Sequence, residues 1–136
     1  MFNLVEKIYD MRTPLIIIAR MAFAIPFLIL GIMHFMYAKG MTAGVPAYIP
    51  GGVIWIYITG IGLIAASVSF LLNIYTKWAG ICLAGMLVIF IFTIHVPGLA
   101  SKVPMTVKWS SVALFKDFAL AAGALLIAGI GMFKRK

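Results

Sequence analysis

Charged side chains are scarce in this sequence of 136 residues, and acidic ones are almost missing. Only 10% of the residues are charged and 65% are hydrophobic, whereas a soluble domain carries roughly 25% charged residues. The mean hydropathy is +1.16. A chain of this composition cannot cover itself with water-compatible surface, so it predicts an integral membrane protein without a soluble domain.

Two further absences exclude classes of function. The formal net charge is +8, but no soluble face carries a basic patch of the kind that nucleic-acid binding requires. The cations stand between and beside apolar runs, where they orient helices and meet anionic headgroups. The single cysteine, Cys82, allows no internal disulfide, which excludes thiol–disulfide chemistry within one chain.

Four apolar runs are each close to the roughly 20 residues that a helix needs to span a bilayer. They cover residues 14–37, 53–72, 78–96 and 112–133. Because lipid offers no partner to backbone N–H and C=O groups, spanning runs of this kind form helices. Apolar residues at helical spacing in Met1–Arg12 favour a short amphipathic helix on the membrane surface. The sequence therefore predicts one all-α domain (1–136), an antiparallel four-helix transmembrane bundle with an N-terminal interfacial helix.

Prolines and serines set the expected helix ends. Pro97 is expected to end the third helix, and a long loop is expected from Pro97 to Trp109. Ser110 or Ser111 would then cap the fourth helix. The fourth helix carries one stripe of small residues headed by an acid, which is expected to face the bundle; its members are Asp117, Ala121, Ala124, Ala128 and Gly131.

Lysine and arginine are divided unevenly between the two ends of such a bundle. By the positive-inside rule, the richer end faces the cytoplasm, so both termini are expected there. The richer end carries Lys7, Arg12, Lys77, Lys134, Arg135 and Lys136, and the other carries Lys39, Lys102 and Lys108.

Four ionisable groups stand out within the apolar runs: Arg20, His34, His95 and Asp117. Such groups are costly in the hydrocarbon region and for that reason tend to mark function. The helical rise places both histidines about 12 Å, and Asp117 about 8 Å, toward the outer side of the membrane centre. Three helices thus bring polar groups to one level of the outer leaflet. Arg20 lies about 9 Å toward the inner side, where a structural, snorkelling role is expected.

The chemistry that fits this outer cluster is the binding and protonation of a quinone headgroup. Quinone carbonyls accept hydrogen bonds and take up protons on reduction, so histidine donors with an acid as proton relay suit them. His34, His95 and Asp117 are the candidate catalytic and headgroup-binding residues. The alternative is that the three residues have no function and are tolerated because each lies near a helix end and reaches water. The dipole at the start of the fourth helix would also stabilise the negative charge of Asp117.

Aromatic residues complete the expected pocket wall, and two other cofactors are disfavoured. Tyr48, Trp55 and Tyr57 are the candidate wall residues. Bis-histidine haem ligation needs partners for each histidine and room for a porphyrin. A metal site of two histidines and one aspartate has the bare minimum of ligands, so no metal is predicted.

Several short motifs are spread over roughly residues 18–129. They are Arg20, Gly31-Ile32-Met33-His34-Phe35, Pro50, Gly60, the Gly62–Ala66 stretch, His95-Val96-Pro97 and Phe115-Lys116-Asp117. In these motifs the chain resembles the DoxX family of small bacterial four-helix membrane proteins.

The resemblance implies an inner-membrane redox setting. One related protein is the membrane subunit of a thiosulfate:quinone oxidoreductase, so a quinone-linked subunit with a soluble or membrane redox partner is the expected function. Many members carry an acid in the outer half of the second helix, where this chain reads Trp55-Ile56-Tyr57-Ile58-Thr59. Tyr57 or Asp117 would have to substitute for that acid.

Two other functions stay open. A non-catalytic membrane module that stabilises a partner or binds a membrane lipid needs only the packing faces and the cationic inner rim. A small-molecule transporter would need a homo-oligomer, because four short helices leave little room for alternating access.

Overall fold

The computed structural model describes the backbone of residues 2–133 and the side chains of residues 14–132. Within that range every regular element is helical and no strand occurs. A single 3₁₀ turn at Thr42–Gly44 follows α2, and a π-helical turn at Ile91–His95 joins α4 to α5. The helices are α1 (Phe2–Met36), α2 (Ala38–Met41), α3 (Val53–Leu72), α4 (Thr76–Phe90), α5 (Val96–Leu99) and α6 (Pro104–Phe133).

Four helical stretches are long and apolar enough to cross a membrane. Their outer faces expose large apolar side chains such as Phe115 and Phe118, as lipid contact requires. The predicted all-α bundle with four membrane spans is confirmed. The spans are Pro14–Met36, Val53–Leu72, Thr76–Leu99 and Pro104–Met132.

Helices α1 and α3 pack closely as an antiparallel pair. The Ser67 hydroxyl donates a 2.8 Å hydrogen bond to the carbonyl of Ala24, and both residues are fully buried. Farther along, a Cβ on Gly31 would lie 3.0 Å from the carbonyl oxygen of Gly60. The missing side chains therefore let the two backbones approach, as small residues do in membrane bundles.

Helices α4 and α6 form the second antiparallel pair. Gly80 lies against Ala124 and Ala128, and Gly131 lies against Thr76. Asp117, Ala121, Ala124 and Ala128 are all buried, so the small-residue stripe predicted for the fourth helix does face the bundle. Phe70 and Leu83 fill the core between the two pairs.

The boundary between the third and fourth spans differs from the prediction. The third span continues through Pro97 to Leu99, and α6 begins at Pro104, eight residues before the predicted start. Pro104 occupies the first helical position, where its missing N–H costs nothing. Ser111 does not cap α6, because its hydroxyl donates to the carbonyl of Lys108 within the helix. The predicted loop over residues 97–109 was therefore wrong.

The predicted N-terminal amphipathic helix is described in its backbone alone. Helix α1 begins at Phe2 and runs without a break past Pro14, so the backbone of this segment continues the first span. The side chains of residues 1–13 lie outside the described residues, and their placement on a membrane surface stays a prediction.

Candidate functional site

A cavity of about 490 Å³ opens between the two helix pairs, at the end of the bundle away from the termini. Walls from α1, α3, the α4–α5 region and α6 surround it, and the segment 42–52, which follows α2, covers one side. Most of the lining is apolar, with Phe27, Leu63 and Leu87 at its base. The three polar residues predicted to converge, His34, His95 and Asp117, all line this one cavity.

His95 and Asp117 form a direct pair in the cavity wall. Nε2 of His95 lies 2.8 Å from Oδ2 of Asp117, and their side chains are 14% and 7% exposed. Because a carboxylate only accepts, Nε2 is the donor. The second carboxylate oxygen, Oδ1, is 3.3 Å from Nζ of Lys116. Asp117 thus accepts from His95 in a setting with little solvent, where screening is weak, while Lys116, whose side chain is 60% exposed, approaches from the rim of the cavity.

The π-helical turn places His95 in this position. Proline at 97 offers no N–H to the carbonyl of Thr93 four residues earlier, as an α-helix would require. The chain instead forms a wider turn, in which the Val96 N–H donates to the carbonyl of Ile91, five residues earlier. Turns of this kind occur frequently at functional sites. Here the turn ends on His95 and directs it toward α6.

The covering segment is tied to the same turn. The phenolic hydroxyl of Tyr48 donates a hydrogen bond to the Thr93 carbonyl, which Pro97 leaves without its α-helical donor. Nε1 of Trp55 donates to the carbonyl of Pro50 at 2.6 Å, and Gly51 beside it has φ +104°. These contacts hold residues 42–52 as a cover over the cavity, although Tyr48 itself remains largely exposed.

His34 lies on the opposite wall, near the end of α1. Its Nδ1 is 2.7 Å from the carbonyl oxygen of Leu30, so Nδ1 carries the hydrogen and neutral His34 presents Nε2 as an acceptor. Gly60 of α3 makes room for it, because a Cβ there would lie 3.0 Å from the Cβ of His34. The close packing of α1 on α3 therefore fixes where this histidine stands.

The aromatic wall residues differ in their placement. Trp55 lines the cavity, and Tyr48 anchors the cover from outside. Tyr57 is not part of the lining; its ring packs on Phe35, with centroids 5.5 Å apart. Tyr57 is one helix position away from Ile56, which does face the cavity, so the rotation of α3 decides between the two.

Sequence reasoning missed Lys116 and Thr93 as residues of the site. Lys116 lines the cavity and pairs with Asp117, although neighbouring positions on a helix do not face each other; the long lysine side chain bridges the difference. Pro97 is the sequence feature that could have indicated Thr93, because a proline four residues later gives the Thr93 carbonyl no N–H donor. Arg20 lies elsewhere, in a separate cavity toward the other end of the bundle.

The polar cluster is not arranged as a metal centre. Among the described side chains, residues 14–132, no group of three histidine, cysteine, aspartate or glutamate residues is placed to hold a metal ion. The arrangement can accept and donate protons at two faces of one apolar cavity.

Comparison with known proteins identifies a family. No curated protein and no solved structure matches the chain. Residues 23–128, more than half of the chain, match the model of a family described as "Domain of unknown function (DUF8561)". The matched range includes His34, His95 and Asp117. The chain belongs to this family.

Proposed function

We propose that this protein is a DoxX-like membrane subunit of a quinone-linked redox system, with its headgroup site in the outer leaflet of a bacterial inner membrane. The observation that carries the proposal is the His95–Asp117 pair facing His34 in one apolar cavity of about 490 Å³. That volume lies within the range of roughly 300–1,000 Å³ typical of small-molecule sites.

The two histidines suit the two redox states of a quinone headgroup. Nε2 of His95 donates to Asp117, and an Nδ1–H on the same ring would donate to a quinone carbonyl. Neutral His34 offers an acceptor at Nε2, which suits a quinol hydroxyl. Reduction of a quinone consumes two electrons and two protons, and these residues supply or receive the protons only.

The electrons must come from a partner. A reduced sulfur compound or a thiol, delivered by a soluble or membrane redox protein, is the class of donor that the DoxX resemblance implies. Thiosulfate is the donor of the related oxidoreductase.

The same contacts disfavour haem. Nε2 of His95 is engaged by Asp117, so a bis-histidine haem bound through this nitrogen would have to break a pair that is nearly excluded from water. A quinone leaves that pair intact and requires no coordination bond.

Mass spectrometry of co-purifying small molecules tests the proposal. Wild-type protein extracted in mild detergent should carry a quinone, and His34→Ala/His95→Ala should reduce its amount by about tenfold or more, which corresponds to 1.4 kcal/mol of binding. His95→Gln is the companion variant, because an amide retains a hydrogen-bond partner for Asp117. A folded double variant with unchanged quinone content contradicts the proposal, and bulk lipid alone in both samples favours the non-catalytic module.

The orientation has its own test. The end that carries both termini is richer in lysine and arginine, so a reporter fused after Lys136 should be active only in its cytoplasmic form. A periplasmically active fusion at that position would reverse the assignment and place the His95–Asp117 level in the inner leaflet.

A further inference from the structure

A second cavity lies at the opposite end of the bundle from the His95–Asp117 pair. It measures about 260 Å³ and lies between α1, α6 and the turn that joins α3 to α4. Its wall is mostly apolar, with Phe23, Leu126 and Ile130 among the lining residues, and Asn73 and Thr76 are its uncharged polar members. Arg20 is the only charged side chain among the residues that line it.

Arg20 lacks a partner for part of its guanidinium. Its Nε atom is buried and makes no hydrogen bond to any described residue. The only carboxylate among the described side chains is that of Asp117, which already holds His95 and Lys116. An arginine N–H that is buried without an acceptor is costly, and in a membrane span the cost is higher still. The described side chains therefore leave the Nε–H of Arg20 without an acceptor, and an anion that enters the cavity could supply one.

Position and charge favour a phospholipid as the source of that anion. Side chains on a helix lean toward its N-terminus, so Arg20 leans toward the interface at the end that carries both termini. The excess of lysine and arginine at that end attracts anionic lipids. A phosphate accepts two parallel N–H bonds from the arginine fork, while the apolar wall beside it suits an acyl chain.

We propose that Arg20 and this cavity bind one anionic phospholipid of the inner leaflet, with its phosphate on the guanidinium and an acyl chain against the apolar wall. The site shares no residue with the proposed quinone site and takes a different ligand, so either binding proposal can fail alone. Only the assignment to the inner leaflet rests on the orientation proposed above. Arg20 also lies outside the matched family range of residues 23–128.

Native mass spectrometry of the full chain tests this site, with equal amounts of phosphatidylglycerol and phosphatidylcholine added in detergent. Wild-type protein should retain one phosphatidylglycerol in preference to phosphatidylcholine. Arg20→Leu should lower that retention by about tenfold. Lys77→Leu removes a cation at the same end that does not line the cavity, and its retention should stay within about twofold of wild type.

Two further variants keep the test decisive. Ala19 lines the cavity from an exposed position, so Ala19→Phe fills the space without removing Arg20 and should also reduce retention. The double variant Glu6→Gln/Asp10→Asn tests whether a carboxylate of the N-terminal segment, and not a lipid phosphate, is the partner of the Arg20 guanidinium. The proposal is overturned if Ala19→Phe and Arg20→Leu bind as wild type does, if wild type shows no lipid preference, or if only the Glu6/Asp10 variant binds lipid.

Discussion

Replacing Gly80 by alanine should lower the free energy of unfolding by about 2–3 kcal/mol, in the upper part of the range for overpacked sites. A Cβ at this position meets the backbone carbonyl oxygen of Ala124 and comes within 2.8 Å of the Cβ of Ala128. Neither atom belongs to a flexible side chain that could turn aside. The α4–α6 pair must therefore separate, and the His95–Asp117 contact lies on the same interface.

Gly85 provides the matched control on the same helix. A Cβ at Gly85 has nothing within 4 Å, so Gly85→Ala should be neutral or stabilising, because alanine favours a helix over glycine by up to about 1 kcal/mol. Reversible unfolding in a denaturing detergent, followed by tryptophan fluorescence, measures both variants. Equal effects of the two substitutions would show that close packing at Gly80 does not hold α4 against α6.

The small-residue stripe explains why the α4–α6 interface could be predicted from sequence. Asp117, Ala121, Ala124 and Ala128 recur at helical spacing, and in a lipid-facing helix only the packed side selects for small residues. The common level of the two histidines follows from the helical rise alone. The fold class and the common level of the two histidines are thus encoded in the length and spacing of the apolar runs. The depth predicted for Asp117, in contrast, was calculated from a fourth run that begins eight residues later than α6 does.

The other features of the site depend on tertiary contacts and side-chain conformations, which the spacing of residues in the sequence does not encode. Pro97 predicted a helix end, yet the π-helical turn and the Tyr48 hydroxyl together satisfy the backbone around it. Tyr48 is 45 residues from Thr93 in sequence, so no local pattern links them. Likewise, Lys116 reaches Asp117 through side-chain flexibility, and the exclusion of Tyr57 from the cavity depends on the rotation of α3.

The contact between Tyr48 and Thr93 yields the second large effect. Tyr48→Phe removes the hydroxyl that donates to the Thr93 carbonyl, and proline at 97 cannot replace it. Loss of this donor to the half-buried Thr93 carbonyl should cost about 1–2 kcal/mol of unfolding free energy. The cover over residues 42–52 should also loosen, which hydrogen exchange of this segment would detect as faster labelling.

A double-mutant cycle separates this backbone role from simple loss of a tyrosine contact. In a Pro97→Ala background the new N–H lies four residues after Thr93 and can donate to the same carbonyl, so Tyr48→Phe should then cost less than about 0.5 kcal/mol. Tyr57→Phe is the control, because no hydrogen bond joins the Tyr57 hydroxyl to a described residue. It should leave the free energy of unfolding unchanged in both backgrounds. If Tyr48→Phe lowers the free energy of unfolding equally with and without Pro97, the hydroxyl does not compensate for the proline. The claim that this compensation holds residues 42–52 over the cavity would then be wrong.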